Sequence, residues 1–448
     1  MKRKSGEITV FLSLVFILLI SFVLSMMESV FIQTAKNQSR LDVDKAVFSL
    51  FGEYQKELLE EYELFAFDAS YGSGEVSENQ ILNRLVYYGS TGMQQEITGI
   101  QFLTDNNGQA FREGVIRYME AGNGIEVIRE MTGLAQEWSE QEVSGEAISN
   151  SLNQSLQQNC GYLPEEAKSL TEKTVSGNFI SLVLPKDFQL SQKSVVLTEQ
   201  VSQRTRNTGR GFLPVMQGIG GIEEKLLFQQ YAVDKFSSAT GQRGENRSLD
   251  YEIEYLICGK SSDKENLQEI ITKLLFFRLA MNYMYLQTDI QRQQEAATFA
   301  AAIAAVLMNP GTEAVIRQLL LILWAFGESV LDIRVLLEGK KAAFYKTNES
   351  WQLTLSSLFT LGSSEDFTEG ADEEGGLDYT HYLQILLCLE STEGLAMRAL
   401  DRIEQNLIIE KGLSNFRADA CVTKLKTMNT AEIGAGYQYS FPTYFGYL

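Results

Sequence analysis

Met1-Lys-Arg-Lys-Ser-Gly-Glu7 is followed by Ile8-Thr-Val-Phe-Leu-Ser-Leu-Val-Phe-Ile-Leu-Leu-Ile-Ser-Phe-Val-Leu-Ser-Met-Met27, twenty consecutive residues without a charge. In a helix that rises about 1.5 Å per residue, this run is about 30 Å long, the thickness of a bilayer's hydrocarbon core. The stretch reads as one membrane-spanning helix, residues 8–27, behind a basic cytoplasmic leader, residues 1–7. Lys2, Arg3 and Lys4 set its direction, because cationic flanks stay cytoplasmic, so the rest of the chain is expected outside the cytoplasm.

Two other fates compete with a retained anchor. A cleaved secretory signal has a shorter apolar core and a small-x-small site, and Ser25-Met26-Met27-Glu28 offers only a poor one after Ser25. A prepilin-type leader is cut after a glycine that ends a short basic segment, which fits Lys4-Ser5-Gly6. Gly6 and Glu7 are then the processing positions. The acid follows the glycine directly, and the fifth residue after Gly6 is Phe11, where pilins usually carry Glu.

Past the span, residues 28–62 hold no proline and one glycine, Gly52, so helix is expected to continue. Residues 32–42 are polar on nearly every face. Val43, Val47, Leu50, Tyr54 and Leu58 then recur at helical spacing, which predicts a solvated stalk leading into a packed helix, residues 28–66 in all. If unbroken from 8 to 62, it would reach roughly 80 Å.

The chain has 448 residues and a net charge of -20, which argues against nucleic acid as a partner and against lying flat on an anionic membrane. Solubility of an exported domain is the plain reading. Four cysteines, Cys160, Cys258, Cys388 and Cys421, lie far apart. They allow up to two disulfides, but the apolar contexts of Cys258 and Cys388 favour buried free thiols. With a single histidine and no clustered thiols, neither a metal nor a cofactor is expected.

The remaining elements predict an α+β fold, with a mixed lobe at 67–202, a flexible linker at 203–221 and a second lobe at 222–448. Strands are expected at Ile97–Leu103, Asn178–Leu184, Tyr251–Ile257, Trp351–Ser356, Phe416–Lys426 and Tyr437–Phe441, the last at a sheet edge because Pro442 cannot donate. Helices are expected through 109–158, broken near Gly122-Asn-Gly124, and at 262–287, 289–308, 312–338, 378–390 and 393–410. Asn309-Pro310-Gly311 folds two of them into a hairpin. Ala296 to Met308, 13 residues, is apolar but too short to cross a bilayer, so that hairpin reads as core. The linker carries Arg204, Arg206 and Arg210 among glycines and reads as a solvated loop rather than a docking site.

Chemistry is sparse. Glu328 and Asp332 stand one helical turn apart, and two carboxylates on one face are the constellation of a glycosidic hydrolase. The stronger reading pairs them with cations such as Arg334 or Arg278. Asp401 and Glu404 repeat the pattern, and Asp366 to Glu374 is an acidic loop without EF-hand spacing. His381 reads as a helix-flank residue. Gly218-Ile-Gly-Gly221 lacks the strand and spacing of a phosphate loop.

Several segments together resemble an uncharacterised family of membrane-anchored proteins from Firmicutes: Gly6-Glu-Ile-Thr-Val-Phe-Leu-Ser13, Glu60-Glu-Tyr-Glu-Leu-Phe65, Tyr251 to Lys260, Asp263 to Leu267, Trp324 to Asp332, Lys346-Thr347, Trp351-Gln-Leu353 and Arg398 to Glu404. The N-terminus is similar to that of minor pseudopilins of tight-adherence (Tad) pilus systems. That similarity implies a structural part in a type IV pilus or type II secretion-like machine, with the membrane and other pilin-like or secretion subunits as partners. A cell-envelope hydrolase and a surface receptor are the alternatives.

Overall fold

A computed structural model describes residues 4–122, 128–214, 221–241, 246–363, 366, 368–434 and 436–447. Lys2, Arg3 and Gly218 to Gly220 therefore lie outside the described residues, and Gly221 opens a helix. The fold is α+β, mostly helical with one small antiparallel sheet. It divides into two units that do not follow the expected lobes: Met1–Gly114, Arg206–Val215 and Leu413–Leu448 form the first, Val115–Thr205 and Met216–Gly412 the second.

Unit 1 contains α1 (Lys4–Phe51), α2 (Lys56–Tyr62), β1 (Phe67–Asp68), α3 (Glu78–Tyr87), β2 (Met93–Phe102), most of the first half of α4 (Asp105–Gly122), β3 (Cys421–Ile433) and β4 (Tyr437–Gly446). The 48-residue helix α1 stops at Phe51, short of the expected residue 62. There Gly52 N–H donates to the Phe48 and Ser49 carbonyls, and Tyr54 pairs with Phe67 as an isolated bridge. The glycine ends the helix and the chain turns toward the sheet.

β3 is the hub of that sheet. It pairs antiparallel with β1, β2 and β4, so Leu425 faces Ile100 on one side and Phe445 on the other. Val43, Ala46, Val47, Leu50 and Phe51 of α1 pack on Ile97, Ile100, Phe102, Val422, Leu425 and Phe441. Each of the larger side chains contributes about 1.5–3 kcal/mol by leaving water. The outer edge of β4 is blunted by Pro442. Tyr447 N–H points inward to the Thr423 carbonyl, 3.1 Å, so by alternation the amide position of Pro442 faces outward, where it offers no donor.

The expected linker is largely exposed over its described part, but it is tied down at points. Arg210 pairs with Ile100 as an isolated bridge and with the Glu78 carboxylate, while Asp105 accepts from Gly209 N at 2.9 Å and Phe102 N at 2.7 Å. Asn106, Asn107 and Gly108 take positive φ, which is how the expected turn Asp105 to Gly108 is built.

Unit 2 holds α5 (Ile128–Asn159), α6 (Lys168–Ser176), α7 (Ile180–Val183), α8 (Ile222–Lys235), α9 (Glu252–Cys258), α10 (Asp263–Thr288), α11 (Ile290–Val306), α12 (Glu313–Leu337), α13 (Leu355–Leu358), α14 (Tyr379–Leu389) and α15 (Thr392–Glu410). Three expected strands are corrected here. Tyr251–Ile257 is helical because its alternating acids, Glu252 and Glu254, are as buried as the apolar residues between them. Asn178–Leu184 contains α7, and Trp351–Ser356 runs without a ladder into α13, capped by Thr354 accepting from Ser357 N. Ser262, Asp289, Asp378 and Ser391 likewise cap α10, α11, α14 and α15.

Candidate functional site

Two features carry the functional argument, one in each unit. The first is α1. It is long and apolar enough to cross a membrane, and none of its most hydropathic window is buried in the protein. Phe11, Phe16, Leu18, Phe22 and Met27 are all exposed, whereas the same helix becomes half packed from Val43 onward. Between these regimes, cationic side chains clamp it to the hairpin: Lys36 lies 5.0 Å from the Tyr439 ring centre, Arg40 sits 5.5 Å from the same centre, and Arg40 Nε donates to Tyr439 Oη at 2.5 Å. Gly6 and Glu7 lie on this helix near its start.

The second feature is a buried ionic cluster built where α10, α12, α14 and the loop before α13 meet. Glu328 and Asp332 fall on one face of α12, as their spacing requires. Lys346 Nζ bridges them, at 2.5 Å from Glu328 Oε1 and 2.7 Å from Asp332 Oδ1. Arg278 donates through Nη2 to Asp332 Oδ2 at 2.7 Å, and through Nη1 to the Ala343 and Phe344 carbonyls. Asn282 adds a donor to Asp332, and the backbone N–H groups of Gln352 and Leu353 both donate to Glu328. Burial pushes the Glu328 carboxyl up, against the pull of Lys346. At Asp332 the same burial is outweighed by Arg278 and Lys346, which hold its carboxyl below the usual range.

Gly327 admits the loop to this cluster. A Cβ at that position would lie 2.6 Å from Leu353 Cδ2 and 2.7 Å from Leu358 Cδ1, so these side chains would have to shift. The two carboxylates are 0 % and 2 % exposed. The cavities of about 370 and 580 Å³ in this unit are lined by other residues. Glu328 and Asp332 are enclosed, and their hydrogen bonds among the described residues are spent on the loop, on Asn282 and on cations, an arrangement that gives hydrolysis no support. What the arrangement does chemically is brace four segments with two balanced charge pairs.

The other singled-out residues are likewise structural. Asp401 accepts from Ser202 N and Oγ and from Tyr255 Oη, and Glu404 pairs with Arg204. Asp366 pairs with Arg334 at 2.7 Å and accepts from Gly362 N. His381 shares its Nδ1 with Asp378 at 2.8 Å, which raises its pKa, at the start of α14. The four cysteines are free: Cys388 and Cys421 are buried, Cys258 is only partly buried and Cys160 is exposed.

Sequence reasoning missed the acids of α9. Glu252 accepts from Ser237 N at 3.0 Å and pairs with Arg247 at 2.9 Å. Glu254 accepts from Ala239 N and Tyr379 Oη, both at 2.9 Å, and burial pushes its carboxyl up to about 7. The one signal in the sequence is their place inside an apolar run, whose alternation suits a half-buried strand as well.

A family model described as a family of unknown function, DUF5702, matches residues 163–433, more than half of the chain. The chain belongs to the DUF5702 family. The DUF5702 match takes in both carboxylate pairs and β3, and α1 lies outside it. No curated protein matches, and no solved structure does.

Proposed function

We propose that this protein is a single-pass, extracytoplasmic structural component of a Tad-like pilus or type II secretion-like apparatus, acting by assembly and binding. The observation that carries the reading is α1, one rod whose first half is apolar and unburied and whose last turns, from Val43 onward, are packed on an antiparallel sheet. Such a rod transmits the position of a membrane segment directly to a folded head. The similarity of Gly6 to Ser13 to pseudopilin N-termini supports it, with Phe11 removing the acid through which pilins usually contact a neighbour. Lys2, Arg3 and Lys4 support a cytoplasmic N-terminal side, because cationic flanks stay cytoplasmic.

Crosslinking of intact membranes followed by co-purification tests the assembly. Pilin-like or secretion subunits are the expected companions; a solitary protein whose deletion leaves pilus assembly untouched refutes the proposal. The mature N-terminus, read by mass spectrometry, separates the three fates. A start at Met1 marks an intact anchor, at Glu7 a leader peptidase, and after Ser25 a secretory signal.

A further inference from the structure

The hairpin of α11 and α12 ends in a surface that the proposed assembly does not use. From Ala296 to Thr312 the chain has no charged residue, Glu295 and Glu313 being the flanking charges. Its buried contacts are confined to one side, where Ala300 and Ala304 meet Ile316, Leu320 and Phe359. On the remaining sides Val306 is 82 % and Met308 92 % exposed, with Phe299 and Val315 also in solvent.

A helix that is apolar on every face is normally enclosed, by protein or by lipid. The last turns of α11 are apolar all round and enclosed on one side only. The segregation runs lengthwise: after Ile290, which is itself exposed, α11 continues with Gln291-Arg-Gln-Gln-Glu295 and ends apolar, so most of its exposed apolar atoms gather at the extremity of the hairpin. A stripe along the flank would suit another helix. An apolar end beyond a polar shaft suits penetration of a lipid interface, where shallow burial of a few side chains is enough.

We infer that this tip, centred on Val306 and Met308, inserts into the bilayer surface as a second, monotopic contact. Two observations commit it to lipid. The same chain carries a helix long and apolar enough to span a bilayer, which keeps unit 2 at high effective concentration beside that membrane, so a weak insertion is sufficient. The tip is also free of the carboxylates that give the chain its net charge of -20, making it a part of the surface that anionic headgroups do not repel.

The test uses the full chain reconstituted in phosphatidylcholine vesicles, with Cys160→Ser to remove the exposed thiol. Val306→Cys, and in a separate protein Val143→Cys on α5 as an exposed control, carries an environment-sensitive fluorophore. At 306 the emission shifts to the blue and is quenched by lipids bearing a nitroxide on the tail, and at 143 neither occurs. Adding Met308→Asp, an exposed position with φ of 53° that aspartate tolerates, returns the emission at 306 to that of the control while tryptophan fluorescence stays native. Emission at 306 equal to that at 143 overturns the inference. So does a blue shift that lipid quenchers leave intact and that follows protein density, the outcome for a second copy of the chain.

Discussion

Glu254→Gln should flatten the pH dependence of unit 2's stability. The Glu254 carboxyl is enclosed, its Oε1 accepts from Ala239 N and Tyr379 Oη, and its Oε2 has no hydrogen-bond partner among the described residues. Burial therefore favours the neutral acid and moves the pKa from an ordinary 4.5 to about 7. A carboxyl raised on folding holds its proton in the folded state between those values, so stability is greatest below about 4.5, declines through the window and levels off above about 7. With about 1.4 kcal/mol per unit, the decline is about 3 kcal/mol. In the glutamine variant that decline disappears, although the amide, facing the same partnerless position, costs a constant amount at every pH. Asp263 and Asp401 are also pushed up by burial, but their contributions are common to both proteins and cancel in the comparison. Urea unfolding at pH 4.5 and pH 8 measures it, because all three tryptophans, Trp138, Trp324 and Trp351, belong to unit 2 and report it selectively. If the variant loses as much stability between the two pH values as the parent, Glu254 is not the titrating group and the reasoning fails.

Lys346→Met leaves two enclosed carboxylates without their shared cation and should cost about 3–5 kcal/mol by the same tryptophan signal, with part of the loss recovered when Glu328→Gln is added. Gly327→Ala should destabilise unit 2 although alanine is the better helix former, because the added methyl meets Leu353 and Leu358; an increase in stability would show that the loop does not need this approach. Leu50→Ala, at a position with no exposure, should cost about 2–5 kcal/mol in unit 1 and speed proteolysis of its sheet, whereas Leu18→Ala should leave that rate unchanged. Maleimide should modify Cys160 quickly in the native protein and leave Cys258 and Cys388 unreacted until denaturant is added, since burial raises both thiols; mass spectrometry counts the adducts.

The long helices were legible because their apolar positions repeat over many turns and because Asn309-Pro310-Gly311 admits one connection. The long apolar helix that holds Ile8 to Met27 was legible from length and charge alone. Short segments were not: seven residues from Tyr251 alternate as well in a strand as in a two-turn helix whose acids are buried, and nothing local announces that Arg247, Ser237 and Tyr379 will receive those acids. The pairing of Asp332 with Arg278 was within reach, because only a cation makes an acid tolerable in so apolar a helix. Lys346 as the bridge was not, since its neighbours Tyr345 and Thr347 give no sign of burial. The division into units escaped for a related reason: which strands β3 would join is written in neither partner.

That hub sets a clock on folding. Gln95 of β2 and Asn429 of β3 hydrogen-bond at 2.8 Å across 334 residues of chain. At ribosomal speed, roughly 20 to 60 s separate the synthesis of the two. Throughout that interval Val43, Val47 and Leu50 lack β3 to cover them, while the segments of unit 2 from 216 to 412 are made in the course of it and are complete before Asn429 emerges. Unit 1 is therefore the last part of the molecule to mature, and a chain interrupted near residue 412 would carry a helix long and apolar enough to cross a membrane joined to an open core.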